Sequence, residues 1–334
     1  MKKIYTLLLF LCVISLMAKA QENKKSDGEA VSFLKITPDA RSAGMGDIGI
    51  ALPQGAYAFY HNSAASLFTS ERGAVSYSYT PWMRDLVSGN SLHSISGFFK
   101  IGNKQSLVLG FRNFTHAESR IMDENGNPGK TFKPSEWALD LGYSRLVTKN
   151  LGMSLTFRYI SSDMGSYQGA KSANAMAFDL GVFYRQNTHW FEGASYAIGL
   201  QVANIGTKIK YLDTKYDLPG KISLGGSVGL PFSKSHVLNC GLDLGYQLMP
   251  SGSSNFDAGL GVEYVLLQHA SIRAGYHLGD KDKGYDSYAT VGCGLRFYHI
   301  QGDFSYLLAG SDCPLKNTFR FTIGIDFGLF CSKK

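Results

Sequence analysis

The segment Phe319-Arg-Phe-Thr-Ile-Gly-Ile-Asp-Phe-Gly-Leu329 carries a large apolar side chain at every second position. Phe319, Phe321, Ile323, Ile325, Phe327 and Leu329 share one face, and Arg320, Thr322, Gly324, Asp326 and Gly328 share the other. A strand has a side-chain period of two, so this segment is apolar on one side and polar on the other. The pattern recurs about fourteen times, with almost no helix-forming segment to cover the apolar faces. Open soluble sheets rarely exceed about ten strands, so no ordinary core serves so many faces. Hydrocarbon is the remaining apolar partner. The pattern predicts an all-β fold, a fourteen-stranded antiparallel transmembrane β-barrel.

The expected strands are 74–80, 92–101, 105–115, 136–146, 151–161, 174–186, 194–204, 221–229, 236–247, 256–267, 270–278, 287–297, 299–307 and 319–329. Connections after odd-numbered strands are long, for example 116–135 and 205–220. Those after even-numbered strands are short, for example Gly102-Asn103-Lys104, Gln268-His269 and Tyr298 alone. Bacterial outer-membrane barrels have short periplasmic turns and long external loops, with both ends inside. No post-signal apolar run approaches the ~20 residues of a membrane helix. The mean hydropathy is close to zero, as expected where inward polar residues dilute outward apolar ones.

Residues 1–20 read as a secretory signal: Lys2 and Lys3, the apolar run Leu7 to Leu16, then Ala18-Lys19-Ala20 before Gln21. Residues 21–72 are expected to form an N-terminal plug, 73–330 the barrel and 331–334 a tail. Loss of Lys2, Lys3 and Lys19 lowers the formal charge from +7 to +4. The basic residues are scattered singly, so no nucleic-acid partner is expected. Cys240 and Cys293 fall on apolar-face positions, with Cys313 in a loop and Cys331 at the chain end. No disulfide is expected, and no His or Cys pair has metal-ligand spacing, so neither metal nor cofactor is called for.

The polar face carries Arg112, Asp140, Arg158, Asp179, Asp243, Glu263, Arg273, Arg296, Asp303, Arg320 and Asp326. These read first as cross-strand ion pairs in a filled lumen, and second as a selectivity ring for solutes. Fourteen strands also fall short of the sixteen or more usual for an open aqueous pore. Filling comes from residues 30–70, which are rich in Gly and Ala and lack strand alternation; Arg41, Gly44, Met45, Gly46, Asp47 and Asn62 are its marked positions. Gly44-x-Gly46 is not a nucleotide loop, because no helix with Lys or Ser/Thr ligands follows. The histidines, His61 among them, read mostly as solvated loop or strand-end residues. No Ser/His/Asp set sits at one membrane depth, and an enzyme is not expected.

Phe33-Leu-Lys-Ile-Thr-Pro-Asp-Ala-Arg-Ser-Ala-Gly-Met-Gly-Asp-Ile-Gly-Ile-Ala51 resembles the N-terminal signature of the PorV/PorQ family, closest to PorV. The likeness continues in Tyr77-Ser-Tyr-Thr-Pro-Trp-Met83, Pro134-Ser-Glu-Trp-Ala-Leu-Asp140, Phe157-Arg-Tyr159, Asn204-Ile-Gly206 and Leu218-Pro219. The family's Asn-Pro-Ala is Asn62-Ser63-Ala64 here. The resemblance implies a FadL-like barrel in the outer membrane of Bacteroidota and a part in type IX secretion. Its implied partners are outer-membrane lipid, translocon and attachment-complex subunits, and the C-terminal domains of exported cargo. Pro81, Trp82 and Met83 in the first external loop, with Tyr211 and Tyr216 in another, are candidate partner contacts. Trp82 and the two tyrosines read equally as an outer aromatic girdle. Transport of small hydrophobic molecules is the alternative function.

Overall fold

The computed structural model describes residues 28–329, apart from 54, 123–126, 166–171, 189–191, 251–254, 281–282, 284 and 312. The expected signal, residues 21–27 and the expected tail lie outside the described residues. Fourteen strands close into one antiparallel barrel. They are β1 (Glu71–Pro81), β2 (Ser91–Ile101), β3 (Gln105–Thr115), β4 (Ser135–Leu146), β5 (Leu151–Asp163), β6 (Ala173–Asn187) and β7 (Ser195–Gly206), then β8 (Lys221–Ser233), β9 (His236–Gln247), β10 (Phe256–Leu266), β11 (Ala270–Leu278), β12 (Tyr288–Phe297), β13 (Ile300–Leu308) and β14 (Phe319–Leu329). β1 starts at Glu71, two residues before the expected barrel boundary. It pairs with β14 from Glu71↔Leu329 to Tyr79↔Phe321, so no edge is left open.

Alternation sorts the side chains as the period-two pattern requires. On β4, Leu139, Leu141 and Tyr143 are exposed on the outer face, while Ala138, Asp140 and Ser144 are buried on the inner one. Outward apolar side chains such as Leu109, Leu260 and Phe327 present the wall that hydrocarbon covers. Short turns lie at one end, which is therefore periplasmic, and long loops at the other. Two loops carry small hairpins of their own, Ser119–Met122 with Pro128–Phe132 and Ile209–Tyr211 with Thr214–Tyr216.

The segment before β1 runs through the barrel from the external end to the periplasmic end. Its start is pinned among external loops: Ala30 N donates to Asp217 O at 3.1 Å, and Lys35 Nζ to Tyr285 Oη at 3.0 Å. Its end reaches the periplasmic rim, where Arg185 donates to Phe68 O at 3.0 Å. Both barrel ends are periplasmic as expected, but the first described residues lie at the external end. In between, a helical turn at Ala40–Ala43 is capped by Asp39, which accepts from Ser42 N at 2.8 Å, and Ala40 N donates to Thr322 Oγ1 at 2.9 Å. Residues 44–46 then lie directly on the backbone of β10–β12. Gly46, at φ 73°, would put a Cβ within 2.7 Å of the Leu260 and Tyr276 carbonyl oxygens. The wall is bare to match: a Cβ on Gly275 would meet Gly46 N at 2.1 Å.

Candidate functional site

The N-terminal segment leaves a cavity on each side of itself. The external one is about 1010 Å³ and the periplasmic one about 570 Å³. Gly46, Asp47, Ile50, Tyr60 and His61 line the external cavity, while Asp39, Arg41, Pro53 and Tyr57 line the periplasmic one.

Inward charges tie this layer to the wall. Arg158 bridges Asp140 at 2.5 Å and Asp179 at 2.8 Å, and Arg112 adds Asp140 at 3.5 Å while donating to Leu34 O at 3.3 Å. Arg273 bridges Glu263 at 2.8 Å and Asp303 at 2.7 Å. Arg41 joins from the segment, reaching both Glu263 oxygens, at 2.9 and 2.8 Å. Arg296 pairs with Asp326 at 2.5 Å and Glu71 at 2.9 Å near the periplasmic rim. Two positions depart from cross-strand pairing. Asp243 accepts from the backbone of Gly49 at 2.6 Å and Ile50 at 2.9 Å, and Arg320 reaches Asp47 at 3.8 Å and Thr37 O at 3.0 Å. Both hold the inserted segment rather than a neighbouring strand.

Asn62 caps the 3-10 helix Ser63–Phe68 by accepting from Ala64 N at 3.2 Å, and it donates to Val182 O at 2.9 Å. Ser63 uses its hydroxyl against Thr156 Oγ1 at 2.8 Å. The Asn204-Ile-Gly206 motif is a β-bulge: the β6–β7 register shifts between Phe178 and Leu180, and Asn204 sits at φ 59°. Asn204 N donates to Asp179 at 2.7 Å and its side-chain amide to Pro219 O at 3.0 Å, joining the Arg158 cluster to the loop after β7. His61 corrects the solvated reading. It is buried, 3.3 Å from Asp39, and a Cβ on Gly49 would lie 2.3 Å from its ring. His61 lines the external cavity and Asp39 the periplasmic one, so the pair spans the inserted layer as a strut.

The residues singled out as partner contacts converge, although from separate parts of the chain. Trp82, Met83, Tyr211 and Tyr216 all line the external cavity, half-buried. Trp82 sits over the Arg320 guanidinium, 6.0 Å from ring centre to Cζ, and packs on an apolar cluster that contains Val31, Phe33 and Leu34. It faces the lumen, so the girdle reading of Trp82 is set aside. Tyr211 and Tyr216 stack edge-on at 5.8 Å on the hairpin Ile209–Tyr211/Thr214–Tyr216, and Tyr211 Oη donates to Ser162 at 2.6 Å. Burial pushes the Tyr211 phenol up to about 12. Pro81 is different. It is the buried last residue of β1, paired with Ser91, and is not in the loop. Reading by strand missed Phe33, Phe114 and Tyr285, which complete the apolar lining. Lys35 holds the entry: burial lowers its pKa, but Glu29 at 2.5 Å together with the Tyr285 hydroxyl outweighs that and keeps it above the ordinary value.

The barrel is similar in fold to solved structures of two toluene transporters and a FadL homologue. The Ralstonia pickettii toluene transporter TbuX aligns over 92% of this chain and 99% of its own, at TM-score 0.56 and 12% identity. The P. putida toluene transporter TodX aligns over 86% and 97%, at 0.55 and 12%. A Pseudomonas aeruginosa FadL homologue aligns over 87% and 98%, at 0.53 and 12%. These likenesses define the class, a FadL-like outer-membrane β-barrel. No curated protein sequence matches the chain. The profile described as type IX secretion system protein PorV matches residues 19–254, more than half of the chain. The chain belongs to the PorV family, and is an outer-membrane component of type IX secretion.

Proposed function

We propose that the external cavity and its rim bind the C-terminal signal domain of exported cargo, which the barrel carries from the translocon to the surface attachment machinery. The observation behind this reading is the convergence of Trp82, Met83, Tyr211 and Tyr216 on one outward-facing cavity of about 1010 Å³. Aromatic anchors in a desolvated pocket are what protein interfaces use as hot spots. Leu86 and Leu212, 63% and 65% exposed at the loops beside it, extend the apolar surface outward. The floor is strapped down by Arg41, Asp243 and Arg320, which suits a receptor better than a solute path.

The test is recovery of cargo on the tagged full-length barrel. Leu86→Asp with Leu212→Asp alters only exposed tips and is expected to abolish recovery of proteins bearing the secretion signal domain. Cells carrying that variant should retain cargo in the periplasm. Normal secretion by the variant, with small hydrophobic molecules recovered on the wild-type barrel, would favour transport of the kind carried out by the toluene transporters TbuX and TodX.

A further inference from the structure

Several external cations stand on carboxylates, while Arg84, Arg120, Lys133 and Lys215 pair with no described carboxylate and are scattered over three loops. Lys210, Lys221, Lys283 and Lys316 sit on aspartates at 3.2, 2.8, 3.6 and 3.7 Å respectively. The periplasmic edge of β1–β5 is built differently. Arg72 is the second residue of β1, Lys104 closes the β2–β3 turn, Arg145 is the last but one of β4 and Lys149 lies in the β4–β5 turn, and all four are exposed. No acidic side chain among the described residues pairs with any of them. The stretches 99–106 and 143–152 contain no Asp or Glu at all. Glu71, the nearest acid in sequence, is taken by Arg296 at 2.9 Å.

Register places the four along one rim. Gly73 pairs with Phe99, Gln105 pairs with Arg145, and Leu146 N donates to Lys104 O at 2.9 Å. Five adjacent strands at strand spacing make an arc of roughly 20 Å. Arg145 continues the outward row Leu139, Leu141, Tyr143, so its stem leaves the lipid face and its head reaches the interface. Arg72 stacks over the lipid-facing ring of Phe99, 5.3 Å from its centre. Beneath the cations, Phe99, Ile101, Leu107 and Tyr143 form an exposed apolar wall. An apolar wall capped by unneutralised cations at a membrane boundary matches one kind of molecule, an acyl-chain lipid with a net negative phosphate headgroup.

We propose that this edge is a binding site for anionic phospholipid of the inner leaflet, which sets how the barrel is seated on its periplasmic side. The site is independent of cargo binding. Juxtamembrane cations contribute about fivefold each toward anionic lipid at low salt.

Native mass spectrometry of the full chain, from micelles doped equally with phosphatidylglycerol and phosphatidylcholine, tests it. Wild type is expected to retain phosphatidylglycerol preferentially, with the preference collapsing at high salt. Arg72→Gln/Lys104→Gln/Arg145→Gln/Lys149→Gln should lose it at least about tenfold. The milder Lys104→Gln/Lys149→Gln, altered only in solvated turns, should lose part of it, and Lys234→Gln on the far side should keep it. Heat-modifiable gel mobility confirms that each variant is folded. Equal retention of the two lipids by wild type, or an undiminished preference in the fourfold variant, overturns the proposal. So does capture of an acidic periplasmic protein by an arc that shows no lipid preference.

Discussion

Gly46→Ala isolates the fit between the inserted segment and the barrel wall. The backbone there is at φ 73°, and the new methyl would lie 2.7 Å from two carbonyl oxygens and 2.8 Å from Tyr276 N. A left-handed conformation costs an L-residue about 1–2 kcal/mol, and overpacking adds about 1–3 kcal/mol. The wall cannot yield, because all three atoms belong to the ladder between β10 and β11. The segment lifts instead, and Gly46 N loses Thr290 Oγ1, now at 2.9 Å, worth about 1 kcal/mol. A total of about 3–6 kcal/mol raises local opening by roughly a hundredfold or more, while the barrel ladder stays intact.

Ala43, fully buried in the helical turn that opening exposes, is the place to read this. A cysteine introduced there should react with maleimide in micelles roughly a hundred times faster when Gly46→Ala is added. Gly302→Ala, where an added methyl meets nothing within 4 Å, is the matched control and should leave the rate alone. A rate within twofold of the parent for Gly46→Ala, or an equal rise in the control, would refute the reasoning from close approach.

Arg158→Met strands the two buried carboxylates of Asp140 and Asp179 and is expected to cost about 3–5 kcal/mol in urea titrations of the micellar barrel; adding Asp140→Asn and Asp179→Asn should restore part of it. Ser32→Cys, exposed at the external end, should label with an impermeant maleimide on intact cells, whereas Ser70→Cys beside β1 should not; the opposite result reverses the path of the segment. Ultraviolet titration should lose one tyrosine ionising near 12 in Tyr211→Phe. Because the folded phenol is raised from 10.0, its contribution to stability is complete below pH 10 and lost between there and about 12.

Strands were legible because each reports its own two faces locally. Phe319 to Leu329 needs no partner to show which side is apolar, and ten of the fourteen expected ranges fall within one residue of the observed strand at both ends. Partners of the inward charges were not legible in this way. Asp243 and Arg320 show correct parity, yet what they hold is a segment with no period of its own. That segment's path was hidden for the same reason: nothing in its Gly and Ala content says which end of the barrel it enters. The inward Gly275 reads in sequence as merely small, and only the backbone of Gly46 lying on it shows why no side chain fits. Trp82 was ambiguous because it lies just past the end of β1, where strand parity no longer dictates which way a side chain points.

The anchors of the inserted layer also bear on whether solutes cross the lumen. A path between the two cavities requires the layer to release Arg41 from Glu263, Asp243 from the amides of Gly49 and Ile50, and Arg320 from Thr37 O. Charge-assisted hydrogen bonds are worth about 1.5–3 kcal/mol each, so these four contacts total at least about 6 kcal/mol. That leaves an open population of roughly one in ten thousand or less. Planar-bilayer recordings of wild type should therefore show no steady conductance, only rare brief events. Asp243→Ala combined with Glu263→Gln removes two of the four anchors at their wall ends and strips the charge from a third, and should raise the open fraction by at least a hundredfold. Steady conductance in wild type would mean that the layer is not the barrier, and the preference for a receptor over a channel would lose its physical basis.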